Sequence, residues 1–334
     1  MTDKSACCDE CTSYNNLDVE ATVLNVINNG CNYCYYTGAE ANVCASLAVM
    51  GCQASFVTRV PDNPLGHVGL GELRRLGVDV SGVVFGGDRL GVFYLEKGAS
   101  QRPSACVYDR LGSGVTTARR SDFDWPRILK GAGYLHLTGI TPGLGGELPR
   151  IVEDACRAAV RLGVEIVFDL NYRRKLWSVA DAARTLPRLV RYADHLIANG
   201  WDARHLLGVE TGDDPVEASE RLKAKYRRLK TVAMTFRDAP NASDNALSAF
   251  LHVRGKSFRS RTYRMHLVDR VGGGDAFAAG LVYALGHRLA PQDAVEFAAA
   301  ASCLKHATEL DVNRASVAEI LALAGAEAEV RSKR

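Results

Sequence analysis

Asp269-Arg270-Val271-Gly272-Gly273-Gly274-Asp275-Ala276-Phe277-Ala278-Ala279-Gly280 is the stretch on which the reading of this chain turns. Three consecutive glycines let the backbone turn tightly and bring its N–H groups close to a ligand. From Ala276 to Leu285 the sequence reads as a helix, rich in alanine and free of proline. A glycine-rich turn feeding a helix start makes an anion site, because unpaired N–H groups and the positive dipole end face one point. Asp275 stands where that anion would lie, and it admits two roles. It can cap the helix by accepting N–H bonds from the first turn. It can also act as a base beside a phosphate in transfer, taking a proton from a hydroxyl nucleophile. Taken alone, Gly-Gly-Gly-Asp supports no more than a cap. The surrounding chain decides between the two.

The 334 residues suffice for one large α/β domain or two small ones, and 47 % apolar content allows a substantial core. A net charge of +3 is too small to point to nucleic acid or another polyanion as a partner. The basic run Lys223 to Lys230 has no interleaved aromatics and reads as a solvated helix face. No apolar run approaches membrane-spanning length, and Met1 to Tyr14 lacks the apolar core of a signal peptide. The expectation is a cytoplasmic protein with no membrane partner. Ten cysteines in so long a chain are expected to stay reduced. Cys8-x-x-Cys11 and Cys31-x-x-Cys34, with 19 residues between the pairs, also match a structural zinc spacing. The competing reading is unrelated thiols.

Near the start of the chain, Ala39 to Met50 reads as a helix ended by Gly51, with Gly38 giving a close backbone approach and Asn42 a polar amide. Strands are expected over 55–60, 83–85, 90–96 and 102–110, with a helix from His67 to Leu76. Further strands at 133–137, 164–171, 195–199, 231–236 and 246–251 alternate with helices such as 151–162, and a late helix covers 294–306. Strand, helix and strand at this spacing imply parallel pairing, and ligands of such sheets lie beyond the carboxyl ends. Asp169-Leu170-Asn171-Tyr172-Arg173 and Asn199-Gly200-Trp201-Asp202 occupy such ends. The first could equally be a structural polar network.

Val268 to Phe277 resembles the C-terminal signature of the ribokinase-like (PfkB) sugar kinases. Asp-Arg before three glycines is similar to the 2-keto-3-deoxygluconate kinases among them. The resemblance runs from about Gly38 to about Asn313. It takes in Thr37-Gly38-Ala39-Glu40-Ala41-Asn42-Val43, with Thr37 for the family's first glycine, and Tyr94 to Ser104. It also takes in Asp169-x-Asn171-x-Arg173 and Asn199-x-x-Asp202, where the family often has glutamate. It implies an α/β ribokinase-like fold with a mostly parallel central sheet, helices on both faces and a small β-strand lid. It further implies ATP-dependent phosphorylation of 2-keto-3-deoxy-D-gluconate to its 6-phosphate.

By the same resemblance Asp275 is the base, and Gly272, Gly273 and Gly274 hold the transferred phosphoryl group. Gly38, Asn42, Tyr94, Tyr108, Arg110 and Arg173 meet the sugar acid. A guanidinium fork suits a carboxylate, which neutral sugars lack. Asn171, Asn199, Thr235, Arg237, Gly272, Gly274, Ala301 and Asn313 meet ATP, and Asn199 and Asp202 place Mg2+ through water. Dimers through the lid are common in that family, so the resemblance makes a homo-oligomer through the lid one expectation. They also open on a central strand ending in Gly-Glu. Residues 1–30 contain no such motif, although Ala21 to Ile27 can form a strand. We therefore expect an atypical segment at 1–30 and a kinase domain at 31–334, with lid strands from about 31–37 and 82–111. The alternatives are a related kinase for another sugar or nucleoside, and a catalytically weak sugar-binding relative.

Overall fold

A computed structural model describes residues 22–28 and 31–325, with side chains from Tyr35 onward. Its larger sheet has seven strands in the order β12-β11-β10-β9-β8-β7, with β13 alongside β11. These are β7 (Tyr134–Thr138), β8 (Glu165–Asp169), β9 (His195–Ile197), β10 (Thr231–Asp238), β11 (Asp244–Val253), β12 (Lys256–Arg259) and β13 (Tyr263–His266). β7 to β10 pair in parallel as the spacing implied, and β11 to β13 turn antiparallel.

The parallel strands are predominantly apolar at their centres because both their faces are covered. Ile166 and Phe168 of β8 point into a core shared with the helices Leu148–Leu162, Val179–Val190 and Pro215–Lys225. Val167 between them points the other way, into the core under the helices Gly273–Gly286 and Pro291–Lys305. Those two helices approach closely: a Cβ on Gly280 would stand 2.8 Å from Ala298 Cα. Small residues are required there.

A second sheet of four strands, β2-β1-β5-β6, forms the lid. β1 is Thr22–Asn28, β2 Cys31–Thr37, β5 Gly91–Glu96 and β6 Ala105–Asp109. The segment read as a possible strand near the N-terminus is thus a strand, and it lies in the lid, parallel to β5. The pair Val84–Phe85 leaves the lid. As β4 it runs parallel to β3 (Arg59–Val60), held by Val84 N–H to Thr58 O at 2.9 Å and Gly86 N–H to Val60 O at 2.7 Å. Only that dipeptide of the expected strand 55–60 is regular. The lid docks by its inner face. Tyr35, Phe93 and Leu95 pack on Val271 and Leu310, and Lys97 at the β5–β6 turn pairs with Asp269 at 2.7 Å.

Cys8 and Cys11 of the zinc spacing lie outside the described residues, as do the side chains of Cys31 and Cys34. Among the described residues no three His, Cys, Asp or Glu side chains gather to hold a metal, and no helix is long and apolar enough to cross a membrane.

Candidate active site

Between the lid and the carboxyl ends of β8 to β10 lies a cavity of about 740 Å³, within the usual range for ligand sites. Its floor is the glycine turn. Gly272 caps the helix Gly273–Gly286 at φ +77°, a conformation that favours glycine. A Cβ on Gly272 would stand 1.9 Å from the Asp311 carbonyl oxygen, and one on Gly273 2.2 Å from the His306 ring. Gly274 faces open space. Gly272→Ala combines a disfavoured φ with a backbone clash, so we predict a loss of about 1–3 kcal/mol of stability together with turnover. Thermal melting checks this; a variant that melts with the wild type would show that the turn tolerates a side chain.

Asp275 is not the cap. Among the described residues no side chain caps this helix, and the Asp275 carboxylate instead accepts a 2.8 Å hydrogen bond from Asn42 Nδ2. It is 8 % exposed. Burial pushes its pKa up to about 6, against the Asn42 bond and the pull of Arg173 and Lys305, with Glu40 adding to the rise. An isolated carboxylate at a helix start would be expected to fall instead. Asp275 is thus poised near neutrality, with open N–H groups of the turn beside it.

Gly38, Asn42, Tyr108, Arg110, Asn171, Arg173, Asn199, Asp202, Thr235 and Arg237 line the same cavity as Gly272 to Asp275. Four arginines line it as well: Arg110, Arg173, Arg237 and Arg270. Burial depresses the Arg237 pKa, and Arg270 and Arg173 depress it further. Arg110 lies over the Tyr108 ring at 4.6 Å, and its buried Nε has no acceptor among the described residues. Asp169 lines the cavity too and accepts from Asn171 N–H at 3.0 Å. Its carboxyl is pushed up to about 7, first by burial and then by Asp275.

Asn199 and Asp202 reach the cavity as a reciprocal cap of the helix Gly200–His205, each side chain accepting the other's backbone N–H at 2.9 and 3.1 Å. Burial holds the Asp202 carboxyl up at about 6.

Three expected contacts are not brought in. Tyr94 lies on the outer face of the lid, 37 % exposed, because alternation along β5 gives the inner face to Phe93 and Leu95. Ala301 is fully buried between helices, where it meets Gly280. Asn313 is buried and accepts from Ala315 N–H at 3.1 Å in a turn.

The structure also adds Asp311, which no spacing marked. It is 2 % exposed, accepts from Thr37 Oγ1 and shares the Asn42 amide with Asp275, at 3.5 Å. Arg270 stood inside the quoted signature without an assigned part.

This geometry can hold a polyanion against the turn, a carboxylate between guanidinium groups and a hydroxyl near Asp275. The family model described as pfkB family carbohydrate kinase matches residues 2–313 of this chain. The 2-dehydro-3-deoxygalactonokinase of Haloferax volcanii is 33 % identical over 275 residues, 82 % of this chain and 83 % of the relative. The 2-dehydro-3-deoxygluconokinase of Thermoproteus tenax is 31 % identical over 274 residues, 81 % and 79 % respectively. Among solved structures, the 2-dehydro-3-deoxygluconokinase of Thermotoga maritima superposes with a TM-score of 0.88 at 42 % identity, covering 91 % of this chain and 97 % of that one.

Proposed function

This chain belongs to the pfkB family of carbohydrate kinases, and from there we propose that it transfers the γ-phosphoryl group of ATP to the primary hydroxyl of 2-keto-3-deoxy-D-gluconate. The observation that carries the substrate class is the meeting of Arg110 and Arg173 with Asp275 in one cavity. A planar fork recognises a carboxylate through two parallel bonds, which a neutral sugar cannot offer to the half-buried Arg110 or to Arg173 at the open side of the cavity. The choice of the gluconate epimer leans on the relative at 42 % identity.

In this reading Asp275 takes the hydroxyl proton as the oxygen attacks. The N–H groups of Gly272, Gly273 and Gly274 receive the charge gathering on the transferred group. Arg110 and Arg173 hold the carboxylate, fixing how far the far hydroxyl reaches. Gly38 and Asn42 meet the sugar; Asn171, Thr235, Arg237 and Arg270 meet the phosphates. Magnesium fits this donor set as an ion carried by ATP. Asp202 is a buried carboxyl that accepts a backbone N–H from Asn199 and is pushed toward its neutral form by burial, and a hydrated cation nearby would favour its charged form. When bound, the ion neutralises phosphate charge. ATP as donor goes with a cytoplasmic setting, and a second copy of the chain against the outer lid, where Tyr94 and Val107 are exposed, completes the proposal. The domain proposal that goes with it is one kinase body carrying the lid, with its boundary moved before 31 to take in the lid strand Thr22–Asn28.

A coupled ADP-release assay over four acceptors tests the substrate. We expect kcat/KM for 2-keto-3-deoxygluconate and its C4 epimer to exceed that for fructose and a nucleoside by about 100-fold or more, the worth of polar groups left unpaired. Equal or better turnover of the neutral acceptors would end the sugar-acid reading.

A further inference from the structure

The helix Pro291–Lys305 ends on a lysine that is 0 % exposed. Charged side chains are almost never wholly buried without a carboxylate partner. Among the described residues, this ammonium makes one hydrogen bond, to the Thr308 carbonyl at 3.3 Å. The neighbouring carboxylates are engaged elsewhere: Asp269 with Lys97 at 2.7 Å, Asp311 with Thr37, Asp275 with Asn42. The segment that carries the lysine is the bed of the glycine turn. Ser302 Oγ donates to Gly273 O at 2.8 Å, and Val268 N–H donates to His306 O at 2.9 Å. Gly272 and Gly273 rest on Asp311 and His306. An apolar chain of equal volume would fill the space without the cost of desolvating a charge. An under-satisfied cation is explained if negative charge arrives beside it.

We infer that Lys305 is a positioning residue for phosphoryl transfer, a built-in cation in the bed of the glycine turn that keeps Asp275 ionised and offsets charge on the transferred group. The inference rests on reading that turn as the phosphoryl site. Burial lowers the Lys305 pKa, while Asp269, Asp311 and Asp275 favour its charged form and Lys97 opposes them. Asp275 in turn faces Asn42 and Glu40 from the helix Ala39–Val49 and Arg173 from the loop after β8, and lies close enough to Asp169 and Asp311 to raise both.

Lys305→Met keeps the volume and removes the charge. The other groups are unchanged, so any movement of the acid limb of kcat/KM reports the lysine. We expect the limb to move to higher pH, because losing a cation favours the neutral carboxyl, and the plateau to fall about 100-fold, as for loss of one stabilising donor. Lys305→Ala should regain at least about 10-fold with added ethylammonium and nothing with ethanol, since only the cation replaces the lost charge. A plateau and limb like the wild type's would overturn the inference. So would a lowered plateau with an unmoved limb and no rescue, or failure of both Lys305→Met and Lys305→Arg to fold, which would assign the residue to packing. Wild-type inactivity on sugar acids would count against the substrate alone, and the comparison would then use the carbohydrate that the wild type does phosphorylate.

Discussion

Asp275→Asn is expected to lower kcat by about 10³-fold or more while changing ATP affinity by less than about 3-fold, the span that a general base contributes. The substitution keeps the size of the side chain and its place in the first turn, so the turn and its N–H groups persist. What disappears is the ability to accept a proton. In the wild type that ability switches on as the carboxyl ionises, and burial has moved its pKa up to about 6. The sign follows directly: below that value the carboxyl is protonated and cannot act, so turnover rises with pH through it. In the asparagine variant the residual rate should lose this acid limb. Steady-state profiles between pH 5 and 9, with nucleotide binding measured separately by calorimetry, decide the matter. Retention of most turnover, or an acid limb that survives the substitution, would remove Asp275 from the proton's path.

How much of this site could be read from residues alone depends on how local each signal is. The glycine turn was legible because its parts are contiguous and the chemistry of φ > 0 is specific to glycine. The parallel sheet was legible because β7 to β9 recur at the spacing of strand and crossover helix. Tyr94 shows where such reading fails. Its neighbours Phe93 and Leu95 are equally apolar, so alternation gives no clue to the buried face until β6 fixes the register. The dipeptide Val84–Phe85 has strand propensity, but its partner, Arg59–Val60, was set by hydrogen bonds across a fold. Ala301 is small for a neighbouring helix rather than for a ligand. Asp311 and Lys305 carried no signal at all. Their meaning arises from Thr37 and Asn42 at one end of the chain and the glycine turn near the other. No sequence window contains both.

Arg110 and Arg173 offer the sharper test of what the cavity selects, because they should fail differently. Removing one member of a bidentate, charge-assisted pair costs about 2 kcal/mol, so either alanine variant should raise KM for the sugar acid by about 30-fold. Lysine should not restore it, since a point charge lacks the fork. Beyond this shared loss the two diverge. Arg173 is among the groups that draw the Asp275 pKa down, whereas Arg110 is not. Arg173→Ala should therefore also move the acid limb upward and lower kcat near neutrality. Arg110, stacked on Tyr108 from the lid side, should leave the limb where it is and act on KM alone. Neutral acceptors, turned over slowly by the wild type, should lose little in Arg110→Ala because they offer no carboxylate to release. A variant series in which neutral and acidic acceptors lose equally would place both guanidinium groups in the support of the cavity walls. A limb that moved with Arg110 and not with Arg173 would reverse their assignment relative to the base.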